Sequence, residues 1–302
     1  MKAPKFVDRL YDQGSSRRAE DGKYEGENFF VVFDGFEIPH GPHFPAPEFA
    51  GLSGGELLVR SLEEAARRYD WSEASITEFI SQLNTWARAT ALDNGFSNDA
   101  GMCPGATFAA AKVTNTTVYV GQGGDTFALW LLCDGTVWIT RNGVFQHDLV
   151  MNYLLEQTKR LFAMKMFSMG LEHMSPEQLA QAQGATWDYI TPILREFRRQ
   201  DANRPESPRA YPVLNGSLCH DLCSWHKFNR AELDTLLLFT DALVPWKVME
   251  SMNMHEIAVR VMADYKKGGL HRLLDVARDT ERRFAHLNYT NEGEATAIAL
   301  EF

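Results

Sequence analysis

The run Phe29-Phe30-Val31-Val32-Phe33 constrains this chain more than any other stretch. Five consecutive apolar residues with a β-branched pair fit a strand covered on both faces, so other segments must supply its cover. The run ends in Asp34-Gly35. A carboxylate at the tip of a buried strand is costly to desolvate unless a cation or hydrogen-bond donors meet it. The glycine beside it lets the backbone turn and brings its carbonyl close to a ligand. An Asp-Gly pair is also a common strand-to-turn signal, so the choice falls to the other acids of the chain.

The covering layers are legible. Gly55 to Tyr69 carries Leu57, Leu58, Leu62 and Ala65 at helical spacing, and Trp71 to Ala91 repeats the pattern through Ile76, Phe79, Ile80, Leu83 and Trp86. Two amphipathic helices in succession need one apolar surface to cover. The segments Gly105–Val113, Thr117–Gly121, Phe127–Leu132 and Thr136–Thr140 supply it as an antiparallel meander. Asn115-Thr116 and Asp134-Gly135 lie between them as tight turns. His147 to Arg199 is helical, with a capping box at Ser175-Pro176-Glu177-Gln178 that predicts a fresh start.

That helical region holds five of the 11 methionines, Met151, Met164, Met166, Met169 and Met174, expected to pack against the sheet. Asp201–Pro212, with three prolines, reads as a surface loop. Thr235–Asp241 returns to strand. Helices follow at Pro245–Met252, Met254–Lys267 and Leu270–Ala285, and Ala295–Phe302 closes as a strand. Residues 1–28 read as polar and irregular. No repeat or linker divides the 302 residues, which predicts a single domain over 1–302 with a helical insertion at about 148–212.

A net charge of −10 with no basic stripe argues against nucleic acid and suits a cation site built from carboxylates. No run approaches the roughly 18 apolar residues of a membrane span, and MKAPKFVDRL lacks a signal-peptide core, so a cytoplasmic protein is expected. Cys103 and Cys133 read as small core residues. The group Cys219, Cys223, His220 and His226 matches no zinc spacing.

Acids recur where strands end. Asp34 and Asp241 close apolar strands, and Asp125 sits in Gly123-Gly124-Asp125-Thr126 at the mouth of the meander. Glu292 and Glu294 precede the last strand, and Glu20-Asp21 precedes the first. Carboxylates gathered from separate strand ends repel one another unless hard cations neutralise them, and oxygen-only ligands suit Mg²⁺ or Mn²⁺. Two such ions would activate a water and grip a phosphate oxygen, the chemistry of metal-assisted phosphoester hydrolysis.

In order and context these motifs resemble the metal-dependent protein serine/threonine phosphatases of type 2C. The residues concerned are Arg17-Arg18-Ala19-Glu20-Asp21, Val31-Val32-Phe33-Asp34-Gly35, Gly105-Ala106-Thr107, Gly123-Gly124-Asp125-Thr126, Phe239-Thr240-Asp241-Ala242, Glu294-Ala295-Thr296 and Tyr211–Gly216. The resemblance implies an α+β fold, a four-layer αββα sandwich of two antiparallel sheets flanked by helices. It implies two Mg²⁺ or Mn²⁺ ions, bridged by Asp34. Glu20 and the Gly35 carbonyl would hold one ion and Asp241 the other, with Asp21 behind them. Arg17 or Arg18 would bind phosphate. The implied substrate is a phosphorylated protein, and the helical insertion is the expected place for a protein partner.

The chain also departs from the pattern. Phe36-Glu37-Ile38 replaces a glycine-rich turn, leaving His40 or His43 as the acid. Ala242 replaces a glycine. Pro245 stands where an acid would join Asp125 at a third metal, so that site is expected to be weakened. Gly293 stands where the last metal-binding aspartate is expected, and Glu292 or Glu294 would have to reach in against strand alternation. Three functions remain in view: a phosphoserine/phosphothreonine phosphatase, a non-catalytic phosphatase-like binding or regulatory module, and a small-molecule phosphohydrolase.

Overall fold

The computed structural model describes residues 4–16, 18–97, 99–168, 175–284 and 292–302. Among these residues ten strands form two antiparallel five-stranded sheets. The strands are β1 (Phe6–Asp12), β2 (Asp21–Glu25), β3 (Phe29–Phe36), β4 (Gly105–Val113), β5 (Thr117–Gly123), β6 (Phe127–Leu132), β7 (Val137–Ile139), β8 (Ser224–Asn229), β9 (Leu233–Phe239) and β10 (Ala295–Glu301). One sheet runs β1-β10-β9-β6-β7 and the other β2-β3-β4-β5-β8.

Strand alternation sorts the side chains into layers. Phe30 and Val32 of β3 meet Ala109, Val118, Leu236, Leu238, Ile298 and Leu300 between the sheets. Phe29, Val31 and Phe33 point the other way, onto helices α1 (Gly54–Arg68) and α2 (Ile76–Asp93). The odd-numbered Leu237 and Phe239 of β9 pack under α5 (Trp246–Ser251) and α6 (Met254–Phe284). Within α6 the backbone of Gly268-Gly269 leaves the helical conformation, so the span is two helices meeting at a kink, as the sequence predicts. The result is the layered α+β sandwich expected.

The remaining helices, α3 (Phe145–Ser168) and α4 (Pro176–Asp201), pair with each other. The expected packing of methionines on the sheet is not met at Met164, which is 68% exposed. Met169 and Met174 lie outside the described residues. Asp201–Pro212 is a surface loop only in its middle, where Arg204, Pro205, Glu206 and Pro208 are exposed; its ends turn inward, with Asp201, Ala202, Asn203 and Tyr211 buried. The reason is polar satisfaction, because Asp201 receives His147 at 2.8 Å, Arg209 at 3.0 Å and Ser207 at 2.6 Å. Cys103 is buried, but Cys133 is exposed on the turn after β6. Residues 6–12 and 21–25, read as irregular, are strands. Among the described residues no helix is long and apolar enough to cross a membrane.

Candidate metal centre

The same alternation that buries Phe30 and Val32 carries Asp34 to the cleft between the sheets. There β3 ends, β4 and β10 begin, β5 turns into β6, and β9 stops at Thr240-Asp241. One carboxylate oxygen from each of Asp34, Asp125 and Asp241 lies within 4.8 Å of the others, each side chain half-buried. It is the one group of three or more potential metal ligands among the described residues.

The backbone is built to hold these acids. Gly124 takes φ +84°, and a Cβ there would lie 2.1 Å from the Thr107 methyl. That close approach lets the Thr107 hydroxyl donate to Asp125 Oδ1 at 2.7 Å. Gln122 braces the turn, donating to the Gly124 and Thr126 carbonyls at 2.7 and 2.9 Å. Gly35 is pressed against the Glu20 carbonyl, Val59 and the Gly55 carbonyl, and its N–H donates to Glu20 O at 2.9 Å.

The three acids raise one another's proton affinity. Burial, then the charges of Asp21, Asp241 and Asp125, pushes Asp34 well above the usual carboxylate range. Burial, then Asp125 and Glu281, pushes Asp241 up to about 7. Asp125 is raised by burial, against the Thr107 hydrogen bond. No basic side chain is among these causes. Three convergent oxygen donors that suppress one another's ionisation, with only neutral donors nearby, fit a hard divalent cation.

The other expected residues lie around this core. Asp21 stands opposite Asp34 in the β2–β3 ladder and accepts from the Thr240 hydroxyl at 2.8 Å. Glu20 takes a short hydrogen bond from Ser53, the N-cap of α1. Glu294 turns to the Glu20 N–H at 2.6 Å, the Asp21 N–H at 3.3 Å and the Tyr11 hydroxyl at 3.0 Å. Glu292 faces Arg282 at 3.4 Å. Neither glutamate joins the three aspartates. Gly293 faces Ala242, where a Cβ would lie 3.5 Å from that residue's own.

Arg18 pairs with Glu37 at 3.1 Å and Glu48 at 3.0 Å, and Arg17 lies outside the described residues. His40 is exposed near the Ile38 carbonyl, and His43 is held by Asp188 of α4. Among the cysteine-neighbouring histidines, His220 bonds Ser81 at 3.0 Å and His226 lies tilted against Trp130, ring centroids 4.8 Å apart.

Two acids escaped the sequence reading. Asp148, in the first turn of α3, is pushed well above the usual carboxylate range by burial and then by the like charges of Asp125 and Asp241, and no hydrogen bond reaches its carboxylate among the described residues. Glu281 of α6 bonds Arg278 at 2.9 Å and the Gly293 N–H, and its charge is felt at Asp241. An acid in the first helical turn after the meander could have flagged Asp148. Nothing local marks Glu281.

No family model matches this chain, and no curated protein sequence does. Solved structures do. The catalytic domain of the serine threonine protein phosphatase PstP, in complex with two manganese ions, is similar at 15% identity and a TM-score of 0.51, over 98% of this chain and 97% of that one. Stp1, a serine/threonine phosphatase from Staphylococcus aureus, is similar at 15% and 0.51, over 100% and 97%. A bacterial serine phosphatase matches at 15% and 0.51, over 98% and 96%. The chain therefore has the fold of the metal-dependent serine/threonine phosphatases.

Proposed function

We propose that this chain is a Mg²⁺- or Mn²⁺-dependent phosphomonoester hydrolase acting on phosphoserine or phosphothreonine in proteins. The observation that carries the reading is the convergence of Asp34, Asp125 and Asp241 within 4.8 Å at the end of the sandwich. The shared fold and the two manganese ions named for PstP support it.

Asp34, Asp125 and Asp241 would hold the cations, with Glu20 and the Gly35 carbonyl beside them. Bound there, divalent cations supply the positive charge that favours hydroxide near neutral pH and neutralises phosphate oxygens. The chain's own part is positioning. Thr107 fixes the Asp125 carboxylate, Thr240 ties Asp21 beneath the site, and Glu294 clamps the backbone of Glu20 and Asp21. Arg18 is assigned to the substrate phosphate, for which it must exchange its hold on Glu37 and Glu48. Helices α3 and α4 are assigned to choosing a substrate or partner protein, a role that fits the exposed Tyr153, Leu161, Met164 and Tyr189. A cytoplasmic location and one domain over 1–302 belong to the same reading.

A second reading, a non-catalytic binding module, is favoured by Gly293, which offers no carboxylate where the resemblance expects one. Hydrolysis of a generic aryl phosphate, with and without Mn²⁺, on the wild type and Asp34→Asn, separates the two. Metal-dependent turnover lost in the variant supports the hydrolase. Metal binding without turnover supports the module.

A further inference from the structure

Beside the acidic centre lies a cavity of about 590 Å³, lined by Gly124, Arg141, Asn142, Phe145, Met249 and Met252 among others. Its volume falls within the roughly 300–1,000 Å³ of small-ligand sites. Gly124 is the residue before Asp125, so the cavity wall and the centre share one turn of chain. The segment carrying Arg141 is moored to that turn. Thr140 N–H donates to the Ala128 carbonyl at 2.9 Å, and Gly143 N–H to the Gly124 carbonyl at 2.7 Å. Asn142 Oδ1 accepts the Val144 N–H at 2.9 Å, and its amide nitrogen reaches the Met249 sulfur at 3.5 Å.

On this fixed rim Arg141 is exposed, and its guanidinium has no hydrogen-bond, ion-pair or aromatic partner among the described residues. Arg18, Arg209 and Arg278, by contrast, are each committed to carboxylates. A guanidinium carried on a fixed backbone segment, with no carboxylate of its own among the described residues, can recognise a carboxylate in a forked, charge-assisted pair. The methionine wall can adapt to varied apolar side chains beside it.

We infer that this cavity is a substrate subsite that reads an acidic side chain a few residues from the phosphorylated one, with Arg141 as the specificity-determining cation. The inference rests on the phosphatase reading for the residue bound at the centre. In a chain of net charge −10, a local cation is what lets a substrate carrying both phosphate and carboxylates settle here.

The test uses the full chain in Mn²⁺ and two labelled peptides carrying a non-hydrolysable phosphoserine mimic, one flanked by glutamates and one by alanines. Fluorescence anisotropy reads their affinities for the wild type, Arg141→Lys and Arg141→Glu, with folding checked by circular dichroism. The acidic peptide is expected to bind the wild type roughly tenfold tighter, Arg141→Lys to keep part of that preference, and Arg141→Glu to erase it. Aryl phosphate turnover should stay within about twofold in both variants, because the charge lies outside the centre. Equal affinity for the two peptides in the wild type, or an undiminished preference in Arg141→Glu, overturns the inference. If the wild type hydrolyses aryl phosphate but shows no preference, this inference fails alone. If a preference that depends on Arg141 persists without turnover, the hydrolase reading fails alone.

Discussion

The Thr240 hydroxyl donates to Asp21 Oδ2 at 2.8 Å, tying the end of a central strand in one sheet to the edge strand of the other. The same oxygen accepts the Thr296 N–H at 3.0 Å, so one side chain joins β9, β10 and β2 beneath the three convergent aspartates. Distances among Asp34, Asp125 and Asp241 therefore depend on how the two sheets are fastened, as well as on each strand.

Thr240→Val keeps the shape and removes both hydrogen bonds. Taking one donor from the Asp21 carboxylate and the acceptor from the Thr296 N–H should cost about 1–3 kcal/mol, read as a lower denaturant midpoint. Metal affinity should fall with it. A variant as stable as wild type would show that the sheets are held together elsewhere.

The clustered acids make metal-free stability depend on pH. Asp241 titrates at about 7 in the folded chain, and Asp34 is raised in the same direction. Unfolded aspartate titrates near ~3.9. Between about pH 4 and 7 the folded state binds more protons than the unfolded state, so stability must fall as pH rises through that window. In chelator, Asp241→Asn should flatten the fall and gain roughly 1–3 kcal/mol at pH 7.5, an amount discounted because the group is partly open to solvent. Chemical denaturation from pH 4.5 to 8 measures this, and a wild-type profile as flat as the variant's would contradict it.

Gly35→Ala tests the tight corner beside Asp34. The new methyl would sit 2.5 Å from the Glu20 carbonyl oxygen and 2.6 Å from Val59 Cγ2. Forcing β3 away from β2 and α1 should cost about 1–3 kcal/mol and shift Asp34 out of register with its partners. A stable Gly35→Ala protein with wild-type metal affinity would mean that the corner yields without moving the carboxylate.

The sequence reading succeeded where hydrophobicity is two-sided and stopped where it is not. Phe29–Phe33, Leu236–Phe239 and Ala297–Leu300 announce central strands because every side chain is buried. The three strands that escaped it, β1, β2 and β8, are all edges of their sheets. Asp21-Gly-Lys-Tyr-Glu25 is polar because an edge strand needs cover on fewer sides and benefits from charge against stray pairing. Asp34, Asp125 and Asp241 were legible as acids ending apolar strands. The positions of Glu294 and Glu281 were not, since their partners Glu20, Tyr11 and Asp241 lie far off in sequence. Cys133 misled for the opposite reason: apolar neighbours in β6 say nothing about the turn that follows.

The central claim is that three aspartates from separate strand ends form one seat for divalent cations. Isothermal titration of Mn²⁺ into the chelator-stripped chain, repeated on Asp34→Asn, Asp125→Asn and Asp241→Asn, measures it without recourse to turnover. The account predicts saturable binding by the wild type that weakens by about tenfold or more in each variant, as expected when one charged oxygen ligand is removed from a hard-cation site. A wild type that takes up no Mn²⁺ at millimolar concentration, or an Asp34→Asn chain that binds it equally well, would contradict the account.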